Sequence, residues 1–115
     1  MKMTVNEYQI EALRTLPGRT ERDAKDILEE GLMGLNGESG ECVDLLKKHK
    51  FQGHDLDREH LARELGDVSW YLAVSAYAIG YDLETIFKMN IEKLRERYPD
   101  GFDVELSKNR KVGDI

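Results

Sequence analysis

The chain has 115 residues, of which 40% are hydrophobic and 35% charged, and its net charge is -6. We predict a single domain over residues 1–115, with a helical core at about 4–98 and a loop-like tail at 99–115. The acidic balance argues against duplex nucleic acid as a partner. The lone Cys42 excludes an internal disulfide. With no signal segment and no uncharged run long enough for a membrane span, we expect a cytoplasmic protein.

The hydrophobic pattern predicts four main helices, and therefore an all-α, four-helix-type bundle. The first helix is expected to begin at Thr4, which forms a capping-box pattern with Glu7, and to end at Pro17. The second is expected to start at Thr20 and to reach about His49.

The third predicted helix opens near Asp55 or Asp57 and ends at about Gly80. The fourth is capped by Asp82 and closed by Pro99. These boundaries leave only short connections between successive helices.

The second helix carries a glycine at every third position of its middle part. These residues are Gly31, Gly34, Gly37 and Gly40. Each interior glycine costs up to about 1 kcal/mol relative to alanine, so the series needs a reason. It is consistent with close approach of another helix, with room for a ligand, or with a break near Gly31 or Gly37.

The second and third helices each carry two carboxylates three residues apart, Glu38 with Glu41 and Glu64 with Asp67. Residues at that spacing share one helix face. Both pairs lie on the same rotational side of an apolar stripe. The stripes consist of Leu28, Leu32, Leu35, Cys42, Val43 and Leu46, and of Leu61, Leu65, Val68, Leu72, Ala76 and Ile79. Antiparallel packing of the stripes, which a short connection favours, would line one cleft with all four carboxylates, whereas parallel packing would separate them.

Clustered carboxylates repel one another unless a cation lies between them, and oxygen ligands suit Mg²⁺ or Mn²⁺. The expected chemistry is attack of a metal-activated water on a phosphoryl group, with Glu41 as the candidate general base. On spacing alone, ordinary solvated helix faces explain the pattern equally well. A di-iron bundle requires E-x-x-H on two helices, and the chain offers only Asp57-x-x-His60.

After Asp67 the third helix has no charged residue for more than two turns and is apolar or aromatic on every face. Such a helix is buried all round, which one small chain can hardly achieve. We therefore expect self-association, with Trp70 and Tyr77 as interface candidates.

Other polar residues are candidates for substrate contact. The basic segment containing Lys50 either caps the second helix or forms a mobile flap that contacts phosphates. Asn90 interrupts the apolar face of the fourth helix, either to set its register or to bind metal-bound water or substrate. Lys93 and Arg97 lie to the same side of that face.

Three blocks follow one another along the chain: Gly-Glu-Ser-Gly-Glu, Glu-Leu-Gly-Asp-Val-Ser-Trp-Tyr-Leu and Lys-Leu-Arg-Glu-Arg-Tyr-Pro-Asp-Gly-Phe. In order and spacing they resemble the MazG-like nucleotide pyrophosphohydrolases of the all-α NTP pyrophosphatase superfamily, over residues 8–110. The resemblance implies Mg²⁺-dependent hydrolysis of (deoxy)nucleoside triphosphates to monophosphate and pyrophosphate. It also implies a homodimer or homotetramer whose active sites can involve more than one subunit.

The resemblance assigns metal ligation to an E-E-x-x-E motif and an E-x-x-D motif. Carried onto this chain, their ligands are Glu38, Glu41, Glu64 and Asp67. The first glutamate of the longer motif is replaced by Gly37. This replacement is similar to the subgroup near the dCTP pyrophosphatases, where a small residue takes that place.

The family's polar and basic patch near the phosphates falls on Asn90, Lys93 and Arg97. Tyr71 and Trp70 either stack on a base or pack, and for Trp70 the interface is favoured. A non-catalytic helical oligomer that binds a nucleotide or a protein partner is the alternative function.

Overall fold

The computed structural model describes residues 1–115 and contains five helices and no strand. The helices are α1 (Val5–Leu13), α2 (Ala24–Gln52), α3 (Arg58–Ala78), α4 (Leu83–Arg97) and α5 (Val104–Lys108). The predicted all-α class is confirmed. None of the helices is both long and apolar enough to cross a membrane. The chain forms two compact units, Met1–Leu83 and Glu84–Ile115, which are described separately.

The start of α1 is set by the capping box that the sequence predicts. The Glu7 N–H donates to Thr4 Oγ1, and the Thr4 N–H donates to Glu7 Oε1, both at 3.1 Å. The helix ends at Leu13, about one turn earlier than predicted. The reason is a tighter 3₁₀-type turn ahead of Pro17, in which the Leu16 N–H donates to the Leu13 carbonyl at 3.1 Å.

The prediction that the second helix starts at Thr20 is wrong, because Thr20 lies in a turn. Gly18 has a φ of 63°, and its carbonyl accepts the Arg22 N–H at 2.9 Å. The N-cap of α2 is Asp23, whose side chain accepts the Lys25 N–H at 2.7 Å.

The helix α2 continues through its glycines without a break, so the alternative of two shorter helices is excluded. It passes the predicted end at His49 and stops at Gly53, a left-handed C-cap with a φ of 73°. The Gly53 and His54 N–H groups both donate to the Lys48 carbonyl, which satisfies the helix end. The segment after the helix thus caps it through backbone groups, and contact of its basic side chains with phosphates stays a prediction.

The contact between α2 and α3 is built on two of the glycines. A Cβ on Gly31 would lie 2.5 Å from Ser75 Oγ and 3.3 Å from the α3 backbone. A Cβ on Gly34 would overlap the Tyr71 ring. Gly31 meets Ser75, whereas Gly34, which is later in α2, meets Tyr71, which is earlier in α3. The two helices are therefore antiparallel, as predicted. Glycine here serves close helix approach.

The predicted stripe-to-stripe contact between the second and third helices is wrong. Leu32, Val43 and Leu65 from those stripes are 51%, 65% and 53% exposed. Small residues let the two backbones approach more closely than opposing leucines would, so the glycine face turns inward. The two stripes are turned partly outward as a result. Other members of the stripes are still partly buried or, for the last one named, buried: Leu28, Leu35, Leu61, Leu72 and Ala76.

The core of the first unit instead forms around Leu13, Leu16, Ile27 and Val74, with Trp70, Tyr77 and Ala78 packed against it. The helix α1 covers the side of α3 that α2 leaves open. Together they bury Ala73, Val74, Ser75 and Ala76.

Trp70 and Tyr77 pack against the core of the first unit and form hydrogen bonds within the chain, so they are not the outward faces on which their prediction as interface residues rested. The Trp70 Nε1–H donates to the Ala12 carbonyl at 3.1 Å and to Thr15 Oγ1 at 2.8 Å. The Tyr77 hydroxyl donates to the Arg19 carbonyl at 3.3 Å. These contacts come from the segment that runs from α1 to the start of α2. The sequence alone predicts that a second copy of the chain covers these two side chains.

The second unit contains α4 and α5, and α5 contradicts the prediction that the tail is loop. Asp103 caps α5 by accepting the Leu106 N–H at 2.9 Å. The helix is one turn long, so it leaves too little periodicity to be detected in the sequence. The α4 helix ends at Arg97, just before Pro99, as predicted.

Candidate metal centre

Three of the predicted carboxylates converge at the α2–α3 contact. One oxygen from each of Glu38, Glu64 and Asp67 lies within 4.8 Å of the others. Glu38 follows Gly34 by one helical turn, so the glycine contact brings it opposite the start of α3. The close approach of the helices and the convergence of the carboxylates therefore have one cause.

These separations fit the binding of one cation after small side-chain movements. Ligand bonds of about 2.1 Å place oxygens around a Mg²⁺ ion no more than about 4.2 Å apart. The three donors are all carboxylates, as a hard cation prefers. The residues present therefore fit a divalent metal ion.

The electrostatics of the group also favour a bound cation. A hydrogen bond to Glu64 raises the pKa of Glu38, and burial and the negative charges of Asp67, Glu64 and Glu41 add to the increase. Two carboxylates can share a hydrogen bond only while one of them holds a proton. The neighbouring carboxylates thus make a proton on Glu38 more favourable than on an isolated glutamate, and a cation between them would offset the same repulsion.

This raised pKa predicts a pH-dependent stability for the metal-free protein. The folded state holds a proton on Glu38 more tightly than the unfolded state does, so the stability contributed by this group falls as pH rises. We expect the melting temperature of Glu38→Gln minus that of wild type to increase from about pH 4 to about pH 7. Thermal unfolding in EDTA measures it, and a constant or decreasing difference would contradict the assignment.

Glu41, the fourth predicted ligand, is not part of the three-carboxylate group. It lies one turn further along α2 and is exposed, but its charge still acts on Glu38. Its charge also contributes to the raised pKa of Lys48, which is caused mainly by the hydrogen bond between Lys48 and Asp44. Glu41 is thus beside the cluster, one helical turn from Glu38 on α2.

Two aromatic side chains form a wall next to the carboxylates. A cleft of about 300 Å³ is lined by Glu38, Asp67, Trp70 and Tyr71. The two rings meet edge to face, with centroids 4.9 Å apart and an interplanar angle of 86°. Because α1 holds the indole N–H, the Trp70 ring is fixed in place beside the cleft.

Sequence reasoning missed two residues near this centre. His60 Nε2 lies 3.2 Å from Glu64 Oε1, and the i, i+4 spacing could have indicated this contact. The pKa of Tyr8 is raised by burial and further by the charge of Asp67, which places this α1 residue near the cluster. No local pattern identifies Tyr8, because its proximity depends on how α1 packs.

Lys50, a predicted substrate contact, is not brought to the carboxylates. It lies twelve residues beyond Glu38 on the same helix, which is about 18 Å along the axis. Its ammonium group lies 5.4 Å from the centroid of the Phe51 ring.

The other predicted substrate contacts belong to the second unit, Glu84–Ile115. Asn90 is exposed, so it is not a buried register-setting residue within that unit. Arg97 forms an ion pair with Asp114, and both Arg97 and Lys93 line a cavity in that unit. Their contact with substrate stays a prediction.

Comparison with known proteins identifies the family of the chain. A sequence profile of the MazG nucleotide pyrophosphohydrolase domain matches residues 28–102. The chain belongs to the MazG family. It is also similar to the Gene 37 protein of Mycobacterium phage L5, with 36% identity over 105 residues, covering 86% of this chain and 92% of that protein. No solved structure matches the chain.

Membership in the MazG family indicates a nucleotide pyrophosphohydrolase, that is, a hydrolase with a nucleotide substrate. The matched residues include the three converging carboxylates and also Glu41, Lys50, Tyr71, Asn90, Lys93 and Arg97. They leave out α1 and the turn after it, which supply Tyr8 and the two hydrogen-bond partners of Trp70, Ala12 and Thr15. The MazG match thus covers the carboxylate group but not all of its surroundings.

Proposed function

We propose that this MazG protein hydrolyses (deoxy)nucleoside triphosphates to the nucleoside monophosphate and pyrophosphate with Mg²⁺, or alternatively Mn²⁺, as the metal. The observation that carries the proposal is the convergence of Glu38, Glu64 and Asp67 from two helices. These three residues would hold the metal, and Glu41 is proposed to complete the ligand set or to act as a base.

When bound, the metal would offset charge on the phosphate oxygens and lower the pKa of a water molecule. We assign Glu41 as the base that accepts a proton from the attacking water, because it lies beside the cluster and outside it. The water oxygen forms a bond to the α-phosphorus. The bond from that phosphorus to the oxygen bridging to the β-phosphorus breaks, and pyrophosphate leaves with the electron pair.

The remaining predicted residues are proposed to bind the substrate. Tyr71, with Trp70 beside it, is proposed to contact the base, and the support is that both rings line the cleft with Glu38 and Asp67. Cationic or amide side chains are proposed to contact the phosphates: Asn90, Lys93 and Arg97. Lys50 lies about 18 Å from Glu38 along α2, so its contact with phosphates is proposed only for a site that another subunit shares.

We also propose a homodimer or homotetramer. The support is the set of large apolar side chains that the first unit leaves exposed. They include Leu32, Met33, Val43, Leu46, Leu65 and Ile79.

The reaction class is tested by resolving the products after incubation with Mg²⁺ and a panel of dNTPs and NTPs. We expect monophosphate and pyrophosphate, with turnover abolished by EDTA. Diphosphate and orthophosphate would instead show cleavage at the γ position and contradict the proposal. Binding of a triphosphate without any product would favour the non-catalytic alternative.

A further inference from the structure

The ion pair between Arg97 and Asp114 has the geometry of a phosphate contact. Arg97 Nε donates to Oδ2 of Asp114 at 2.8 Å, and Arg97 Nη2 donates to Oδ1 at 2.7 Å. The side chains are 10% and 17% exposed, which makes this the least exposed ion pair in the chain. A guanidinium binds carboxylate and phosphate through the same paired donors.

Several cationic side chains surround Asp114, and their total positive charge exceeds the negative charge of its one carboxylate. The hydrogen bonds from Arg97 lower the pKa of Asp114, and the charges of Arg97, Arg110 and Lys93 lower it further. These residues line a cavity of about 760 Å³. Its charged side chains are Lys93, Arg97, Arg110 and Lys111 against Glu96 and Asp114. Four cationic groups therefore face two acidic ones.

The cavity has room for a ligand much larger than the carboxylate inside it. Its volume lies within the range of about 300–1,000 Å³ that small-molecule sites occupy. Asp114 sits in an irregular segment after α5, directly behind Gly113, which has a φ of 89°. Moving Asp114 out of the cavity would therefore break no helix.

We propose that Asp114 is an internal competitor in this cavity, and that a molecule carrying a pyrophosphate group binds there by displacing it from Arg97. The group can be free pyrophosphate or the end of a nucleotide, since both present the same oxygens to the guanidinium. The inference rests on the part of the proposed function that assigns substrate phosphates to Lys93 and Arg97, but its test concerns the second unit alone and does not require the metal centre. It goes beyond the proposed function by adding a resident anion that a phosphate must displace.

The test is calorimetric titration with inorganic pyrophosphate in EDTA at fixed ionic strength. If the ion pair is closed about nine-tenths of the time, it weakens the apparent affinity about tenfold. We therefore expect Asp114→Asn to bind pyrophosphate about tenfold more tightly than wild type. Unchanged or weaker binding by this variant would overturn the proposal, as would absence of binding by both proteins.

Matched lysine variants on α4 separate the cavity from general charge effects. Lys93→Ala should weaken binding, whereas Lys88→Ala, an exposed lysine outside the cavity, should not. Equal losses in both variants would overturn the proposal. Titration with a dNTP and with its deoxynucleoside distinguishes the sources, because the proposal requires the triphosphate to bind and the nucleoside not to bind.

A measurement on the wild-type protein covers the case in which Asp114→Asn does not fold. Pyrophosphate should shift the NMR signal of the Arg97 Nε–H, because that group exchanges its carboxylate partner for a phosphate. An unshifted signal at saturating pyrophosphate would overturn the proposal. Because no metal or turnover is involved, failure here is distinguishable from failure of the proposed hydrolysis.

Discussion

Glu38→Gln and Asp67→Asn are each expected to lower turnover of the preferred triphosphate by at least about 10³-fold, because a metal ion stabilises the transition state by several kcal/mol. Each substitution removes one charged ligand while keeping the shape of the side chain. Steady-state rates of pyrophosphate release in Mg²⁺ measure the loss. The helical circular dichroism spectrum should be unchanged.

The matched control is Glu29→Gln, which removes an exposed carboxylate from the same helix, outside the cluster. Its turnover should equal that of wild type. Full activity in both Glu38→Gln and Asp67→Asn would contradict the assignment of these residues as metal ligands. A comparable loss in Glu29→Gln would show that the net charge of the helix, rather than the cluster, is responsible.

Gly31→Ala and Gly34→Ala are expected to destabilise the fold by about 1–3 kcal/mol, the usual cost of forcing extra atoms into a packed contact. The added methyl would meet Ser75 and the α3 backbone in the first variant and the Tyr71 ring in the second. In a domain of this size each kcal/mol lowers the melting temperature by about 4 °C. Thermal or urea unfolding in EDTA measures the effect.

Gly40→Ala is the control for this series, because a Cβ at Gly40 meets nothing within 4 Å. Alanine is favoured over glycine inside a helix by up to about 1 kcal/mol, so this variant should be more stable than wild type. A contact through glycine is supported if Gly31→Ala and Gly34→Ala lower the stability while Gly40→Ala raises it. Stabilisation by all three alanines would mean that α2 and α3 do not approach through Gly31 and Gly34.

Several features were predictable from the sequence because they depend on residues close together in the chain. The Thr4–Glu7 capping box forms as predicted, and Asp57 caps α3 by accepting the His60 N–H at 3.0 Å. The i, i+3 spacing of Glu64 and Asp67 places both carboxylates in one cluster. Local hydrogen bonds and helical periodicity fix these features whatever the helices pack against.

The packing of the helices was decided only by the tertiary structure. Periodicity identified leucine stripes as the α2–α3 contact, but Gly31 and Gly34 form it instead, because two backbones approach most closely where side chains are absent. That contact fixes which carboxylates meet, and it leaves Glu41 beside the group formed around Glu38.

Contacts between distant parts of the chain were also decided only by the tertiary structure. Trp70 bonds to Ala12 across 58 residues, and Gln9 donates to the Ala73 carbonyl across 64. Arg97 meets Asp114 in a tail that the sequence presented as loop. The sequence by itself determined the four long helices, the caps at Thr4 and Asp57 and the spacing of the carboxylate pairs, because these follow from neighbouring residues. The tertiary structure decided which faces are buried and which charges meet, because those depend on packing between segments that no local pattern relates.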